Sequence, residues 1–288
     1  MKTHKSIKNS SLIFCSLITI TLTFSTHSSA FEVYSFLPYP PTPSSDQQSK
    51  SFSSTVLQSN PSLKKIKIIY ENELLSTPQA DNSPASRINK VKIQNAALKY
   101  KNLGVKFFSL DIESWNRFDP KTPSLYLQTL KIFKEAYPEA TVGLYSIVPQ
   151  NTYLWTENKL SSYDEINARY VDVAKTVDYF SPSLYNYSGD DFSSWVKSAK
   201  YNINAARNYD PYKKILPYIT PEVQQSGAIR LLTYEEMKAR LEVLSQLGVD
   251  GCILWGSSRS RISDGSRPTL DPQAGWLKAV IEFSNSKS

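Results

Sequence analysis

Histidine and cysteine are nearly missing from this 288-residue chain: each occurs twice, and of the four only Cys252 lies beyond residue 30. That scarcity removes whole classes of chemistry. Residues 1–30 read as a secretory signal, with Lys2, Lys5 and Lys8 ahead of an apolar run from Leu12 to Phe24 and small residues at Ser28, Ser29 and Ala30. His4, His27 and Cys15 would leave with it, so the exported chain, 31–288, keeps no histidine and one thiol. A Ser-His-Asp or Cys-His nucleophile cannot be assembled, His- or Cys-based zinc sites lack ligands, and no intramolecular disulfide can form. Cys252, inside the apolar run Gly251 to Trp255, reads as a small buried hydrophobe.

Other features are scarce too. No later stretch is apolar enough to span a bilayer, so no stable membrane insertion is expected. Nine glycines form no phosphate-binding fingerprint. Long Lys/Arg clusters are lacking, and the formal charge of +7 falls to +4 once the three signal lysines are gone, which argues against a dedicated nucleic-acid binder. Any chemistry must come from carboxylates, tyrosines, lysines or an oxygen-bound metal.

Aromatic residues are plentiful, with 18 tyrosines and five tryptophans. Most such residues are core, yet in a cleft they are also what sugar rings stack on. Trp195 and Trp276 sit inside helical apolar patterns and are assigned to packing.

Seven strand-like segments alternate with amphipathic helical ones: 32–36, 65–70, 105–110, 142–147, 179–182, 215–219 and 251–255. Thr233 to Glu236 resembles a capping box, with Gly248 as the stop. Ser86 is expected to cap a helix running to about Asn102, and Asp271-Pro272 to open the last helix. Leu127, Leu130, Phe133 and Ala136 give a further apolar stripe. Residues 41–60 read as a long polar loop. This order specifies one α/β domain over 31–288, and a parallel TIM-like (β/α) barrel of about seven strands suits it better than an open sheet. Acids and aromatics cluster where strands end, and a barrel gathers such ends at one mouth.

Asp111 and Glu113 stand two apart at the end of the segment 105–110, so in a strand they project to the same side. Crowding two acids raises the pKa of one of them, as a proton donor near neutral pH requires. A solvated loop start, or acids held by Lys and Arg, is the plain alternative for such a spacing.

The order of these pieces resembles the animal hyaluronidases, including those of insect venoms. Phe31 to Pro38 is similar to that family's F-x-V-Y-W-N-x-P opening, Ile68-Ile69-Tyr70 to its I-x-L-Y segment, and Leu110 to Trp115 to I-D-[FW]-E-x-W. Gly143-Leu144-Tyr145 resembles G-Y-Y-G, Ser181 to Tyr185 resembles L-P-S-V-Y, and Leu216-Pro217-Tyr218 resembles V-L-P-Y. Gly248 to Ser258 resembles G-A-D-G-[FIV]-I-[IL]-W-G-S-S. Departures are Ser35 where the family has tryptophan, Asn116-Arg117-Phe118 where Arg-Pro often follows, and the missing disulfides.

The resemblance implies a retaining endo-glycosidase acting on polysaccharides that contain N-acetylhexosamine, of the hyaluronan or chondroitin kind. Glu113 would be the proton donor, and Asp111 would steady the substrate's own acetamido nucleophile. Tyr185 and Trp255 would hold the sugar, with Tyr145 and Tyr218 as further contacts. No cofactor is called for, and a secreted or periplasmic monomer is expected. A chitin- or peptidoglycan-like substrate, or a silent carbohydrate-binding barrel, are the alternatives.

Overall fold

The computed structural model describes residues 30–40, 60, 62–78, 83–153 and 155–287. The expected secretory segment and the polar loop 41–60 therefore lie outside the described residues, apart from Ala30 and Asn60. Among the described residues no helix is long and apolar enough to cross a membrane.

Parallel pairing dominates. Strands β1 (Glu32–Phe36), β2 (Leu63–Lys65), β11 (Gly251–Trp255) and β8 (Tyr218–Ile219) make one sheet in the order β2-β1-β11-β8. A second runs β3-β4-β5, from Lys67–Tyr70, Phe107–Asp111 and Thr141–Leu144, and a third pairs β6 (Tyr179–Phe180) with β7 (Lys214–Ile215). Among the described strands, β9 (Glu222–Gln225) and β10 (Ala228–Leu231) pair antiparallel as a hairpin, and an isolated antiparallel bridge joins Leu75 to Ile88. Backbone hydrogen bonds also cross between the parallel pieces: Asp178 N to Val142 O at 2.9 Å, Tyr218 N to Pro182 O at 2.8 Å and Asp250 N to Ile215 O at 3.2 Å.

Two strand expectations, 32–36 and 251–255, match the observed bounds. Segments 65–70 and 215–219 are each split, the first at Ile66, where pairing passes from β1 to β4, and the second around Pro217, which has no N–H to give a ladder. Helices α1 (Glu71–Leu74), α2 (Lys90–Asn102), α3 (Thr122–Ala136), α4 (Leu160–Ala168), α5 (Val171–Thr176), α6 (Phe192–Tyr209), α7 (Tyr234–Gln246) and α8 (Gly275–Ser286) fill the connections.

The α7 capping box is present, with Thr233 accepting from Glu236 N and Glu236 accepting from Thr233 N, and Gly248 takes a φ of 68° beyond the helix end. Two helix starts differ from expectation. Ser86 gives its hydroxyl to Ser83 O at 2.7 Å inside a 3₁₀ turn, so the cap of α2 is Asn89, whose side chain accepts from Lys92 N. Asp271 instead closes a turn, accepting from Gln273 N at 2.8 Å, and α8 begins at Gly275.

Side-chain alternation sorts the strands into two cores. Phe108, Leu110 and Ile112 pack outward with the helices, alongside Trp276 and the free, buried Cys252. Facing the other way, Tyr34, Ile66, Ile68, Tyr179, Leu216, Tyr218 and Ile253 form an aromatic-rich inner cluster with Phe107. Phe107 stacks between Tyr34 and Tyr179, at 4.2 and 4.8 Å. Gly143 makes room for this stack, since a Cβ there would lie 2.4 Å from the Tyr179 ring.

Charged groups tie the strand starts together. Glu32, the first residue of β1, receives Lys64 and Lys214, the latter at 2.6 Å. Asp178 accepts from Val142 N at 2.8 Å, and Asp250 from Ile215 N at 2.9 Å. Acids at the amino ends thus clamp neighbouring strands.

Candidate active site

Asp111 ends β4 and Glu113 follows two residues on, continuing the inward-facing series begun by Phe107 and Ser109. Both line an open cleft of about 580 Å³ at the carboxyl ends of the strands, together with Tyr70, Trp255 and Arg259. The two side chains thus open into the same cleft. Asp111 is partly buried, whereas Glu113 is exposed in the cleft.

The segment carrying the acids is pinned from both sides. Tyr126 of α3 donates to Ile112 O at 2.7 Å, between the two acids, and Ser114 N donates to Glu71 at 3.2 Å. Arg87, itself buried, binds Glu71 at 3.3 Å and gives a second hydrogen bond to the Ser114 hydroxyl. Trp115 is buried edge-on against Tyr126, with ring centres 4.9 Å apart, and serves the core.

The electrostatics follow from this crowding. Burial, then the negative charge of Glu113 and a hydrogen bond with it, then the charge of Glu71, push Asp111 up to about 7. Glu113 is also raised, by burial first, with its hydrogen bond to Asp111 pulling the other way and Glu71 adding to the rise. A hydrogen bond between two carboxyls needs a proton on one of them, so the two titrate as a pair. Glu71 behaves oppositely. Burial alone would raise it, but the hydrogen bonds from Ser114 and the Arg87 guanidinium outweigh that and hold it below its usual range.

The aromatic candidates fall into three positions. Trp255 lines the cleft with the acids, and Tyr185 stacks on it with centres 5.3 Å apart and planes 20° apart. Tyr145 meets Tyr185 at 6.0 Å and borders a smaller hollow beside Glu113. Tyr218 is 1% exposed, lies edge-on beneath Tyr145 at 4.9 Å and does not line the cleft. From there its ring supports Tyr145 and Tyr185.

Tyr70, Glu71 and Arg259 were not singled out as site residues in the sequence. Tyr70 and Glu71 stand at the carboxyl end of β3, the same kind of strand-end position as Asp111 at the end of β4. Arg259 sits on the loop after β11. That loop is fixed by Glu222, which accepts from Ser257 N at 2.7 Å and from the Ser260 hydroxyl at 2.6 Å, and is bound by Tyr39. Among the described residues, no group of three or more His, Cys, Asp or Glu is placed to hold a metal ion.

No protein-family model matches this sequence, and no curated protein matches it. Solved structures share its fold, and they are parallel α/β glycosidases. A crystal structure of bee venom hyaluronidase superposes with a TM-score of 0.60 at 20% identity, over 79% of this chain and 91% of that one. Bee venom hyaluronidase in complex with a hyaluronic acid tetramer gives 0.58 at 17%, over 88% and 95%. A chitinase from Bacillus thuringiensis gives 0.50 at 11%, over 81% of this chain and 52% of that one. At such identities the likeness is one of fold: this chain is built on the architecture seen in the hyaluronidase.

Proposed function

We propose that the chain is a retaining endo-glycosidase that cuts polysaccharides containing N-acetylhexosamine, acting after export as a monomer. The seven parallel segments are read as a distorted barrel with the cleft at its mouth. The observation that carries the proposal is the Asp111–Glu113 pair: two acids on one side of a strand end, both raised by burial, sharing an open cleft with Trp255. The fold shared with bee venom hyaluronidase supports the same reading, as does that protein's complex with a hyaluronic acid tetramer.

The chemistry follows from the unequal surroundings of the two acids. The pair shares one proton, which passes to the glycosidic oxygen through Glu113, the member exposed in the cleft. The substrate's acetamido oxygen then closes on the anomeric carbon, one of the recognised exceptions to the two-carboxylate scheme. Asp111, deeper and lining the same cleft as Trp255, steadies the acetamido group as charge develops on it. Water completes the turnover, with Glu113 as base.

Digestion of hyaluronan, chondroitin and chitin oligomers tests this. Wild type is expected to release reducing ends from at least one, and Glu113→Gln to lose about a hundredfold or more of that activity. Release from chitin alone would move the substrate to the neutral polymers. Binding without release from any would leave a carbohydrate-binding barrel.

A further inference from the structure

Glu113 borders a second hollow besides the cleft. This side pocket, of about 140 Å³, lies between the end of β4 and the loop after β5, and Trp115, Ser146 and Gln150 are among its walls. Those three side chains are 4%, 4% and 2% exposed. Yet Trp115 Nε1, Ser146 Oγ and Gln150 Oε1 have no hydrogen-bond partner among the described residues. Asn151 Oδ1, in the same wall, is a fourth such atom. Buried polar groups are paired in nearly all folded proteins, so four orphans around one hollow call for a polar occupant.

Their chemistry narrows what that occupant is. The indole N–H only donates, the amide oxygen only accepts, and the hydroxyl does both. The complement is a small neutral molecule that donates and accepts at once, and the space is ample for a few waters. Arg117, the cation among the walls, gives one N–H to the Asn151 carbonyl. The walls are also held in place. Ser146 keeps a left-handed φ of 54°, a strained conformation for a non-glycine residue, while its N–H binds Ser181 O at 3.0 Å. Gln150 is fixed by its Nε2 on Ile147 O at 2.8 Å and by its backbone N on Asn167 at 2.9 Å.

We propose that the side pocket is a built water site, in which water held by Trp115, Ser146 and Gln150 stands beside Glu113 and supplies the nucleophile for the second half of the reaction. The delivery role rests on the glycosidase reading. In that step the Glu113 carboxylate takes one proton from water while the water oxygen bonds to the anomeric carbon. The bond from that carbon to the acetamido oxygen breaks, and its electron pair restores the neutral amide. The pocket lies on Glu113's side of the cleft, and in a retaining reaction water must enter on the face that the departing sugar leaves.

The test uses the full chain and the double variant Trp115→Phe/Ser146→Ala, which removes the donor and the hydroxyl but keeps an aromatic ring against Tyr126. Hyaluronan or chitin oligomers serve as donors, with added N-acetylglucosamine as acceptor. The ratio of glycosyl transfer to hydrolysis is expected to rise about fivefold in the variant, the rate equivalent of one lost hydrogen bond. An unchanged ratio in a folded, active variant overturns the delivery role. A wild-type crystal structure sharp enough to show ordered water decides the site itself: water on these three atoms supports it, and a dry pocket overturns it. If wild type cuts none of the oligomers, the glycosidase reading fails and delivery with it, while the crystal structure still decides whether the pocket is a water site.

Discussion

Glu71 supplies a fixed negative charge behind the acid pair, and its removal has a definite sign. The Glu71→Gln change keeps a side-chain oxygen for Ser114 N but deletes the charge that raises both Asp111 and Glu113. The shared proton should therefore leave at lower pH. The alkaline limb of the pH–rate profile is expected to move toward acid, and the carboxyl carbon resonances of the pair to follow it. An unmoved limb would show that Glu71 acts only as a tether. Among individual residues, Asp111, Glu113 and Trp255 were legible in the sequence because spacing and strand ends locate them without tertiary knowledge. Tyr218 was not: it ends a strand like the others, but only the packing of Tyr145 and Tyr185 over its ring reveals that it lies one layer below the cleft. Arg87 was equally hidden, since its role depends on a turn that brings it to Glu71 and Ser114.

At the level of elements, strands read more clearly than helix starts. Segments 32–36 and 251–255 are short apolar runs whose ends coincide with changes of composition. Ser86 and Asp271 instead satisfy local turns, and a side chain that can cap can also close a turn. The Thr233 cap is the counterexample, because Glu236 completes the reciprocal pair. Thr233→Ala is expected to cost about 1 kcal/mol in chemical denaturation, with substrate cleavage unaffected. A larger cost is expected at the β1–β11 seam. A Cβ at Gly251 would lie 2.0 Å from the Glu32 carbonyl oxygen, so Gly251→Ala must push two paired strands apart, at about 1–3 kcal/mol or more by the same measurement.

Across the whole molecule, acids serve two purposes at opposite strand ends, and this gives stability an unusual dependence on pH. Burial raises Glu32, but Lys214 and Lys64 outweigh it and hold it below its usual range. Glu236, bound by Arg230, is held near about 2. Such groups stabilise the fold above their unfolded values and lose that contribution as pH falls through the folded ones. Asp111 has the opposite sign: raised from 3.8 to about 7, it binds a proton in the native chain that the unfolded chain releases, so stability falls as pH climbs through that window. The melting temperature is expected to be higher near about pH 5 than about pH 8, and to drop again below about pH 4. Asp111→Asn should flatten the upper slope while leaving the acid drop, and an unaltered upper slope would remove Asp111 as its cause.

The stack of Tyr185 on Trp255 also gives the molecule an optical reporter. Trp115, Trp195 and Trp276 are buried and Trp155, partly exposed, does not line the cleft, whereas Trp255 stands partly open in it beside the acids. A sugar laid against that indole displaces water from it and changes its emission, so occupancy of the cleft can be followed by intrinsic fluorescence. With Trp255→Phe as the silent control, binding of each oligomer is to be measured in the Glu113→Gln protein, where no turnover is expected, with no label.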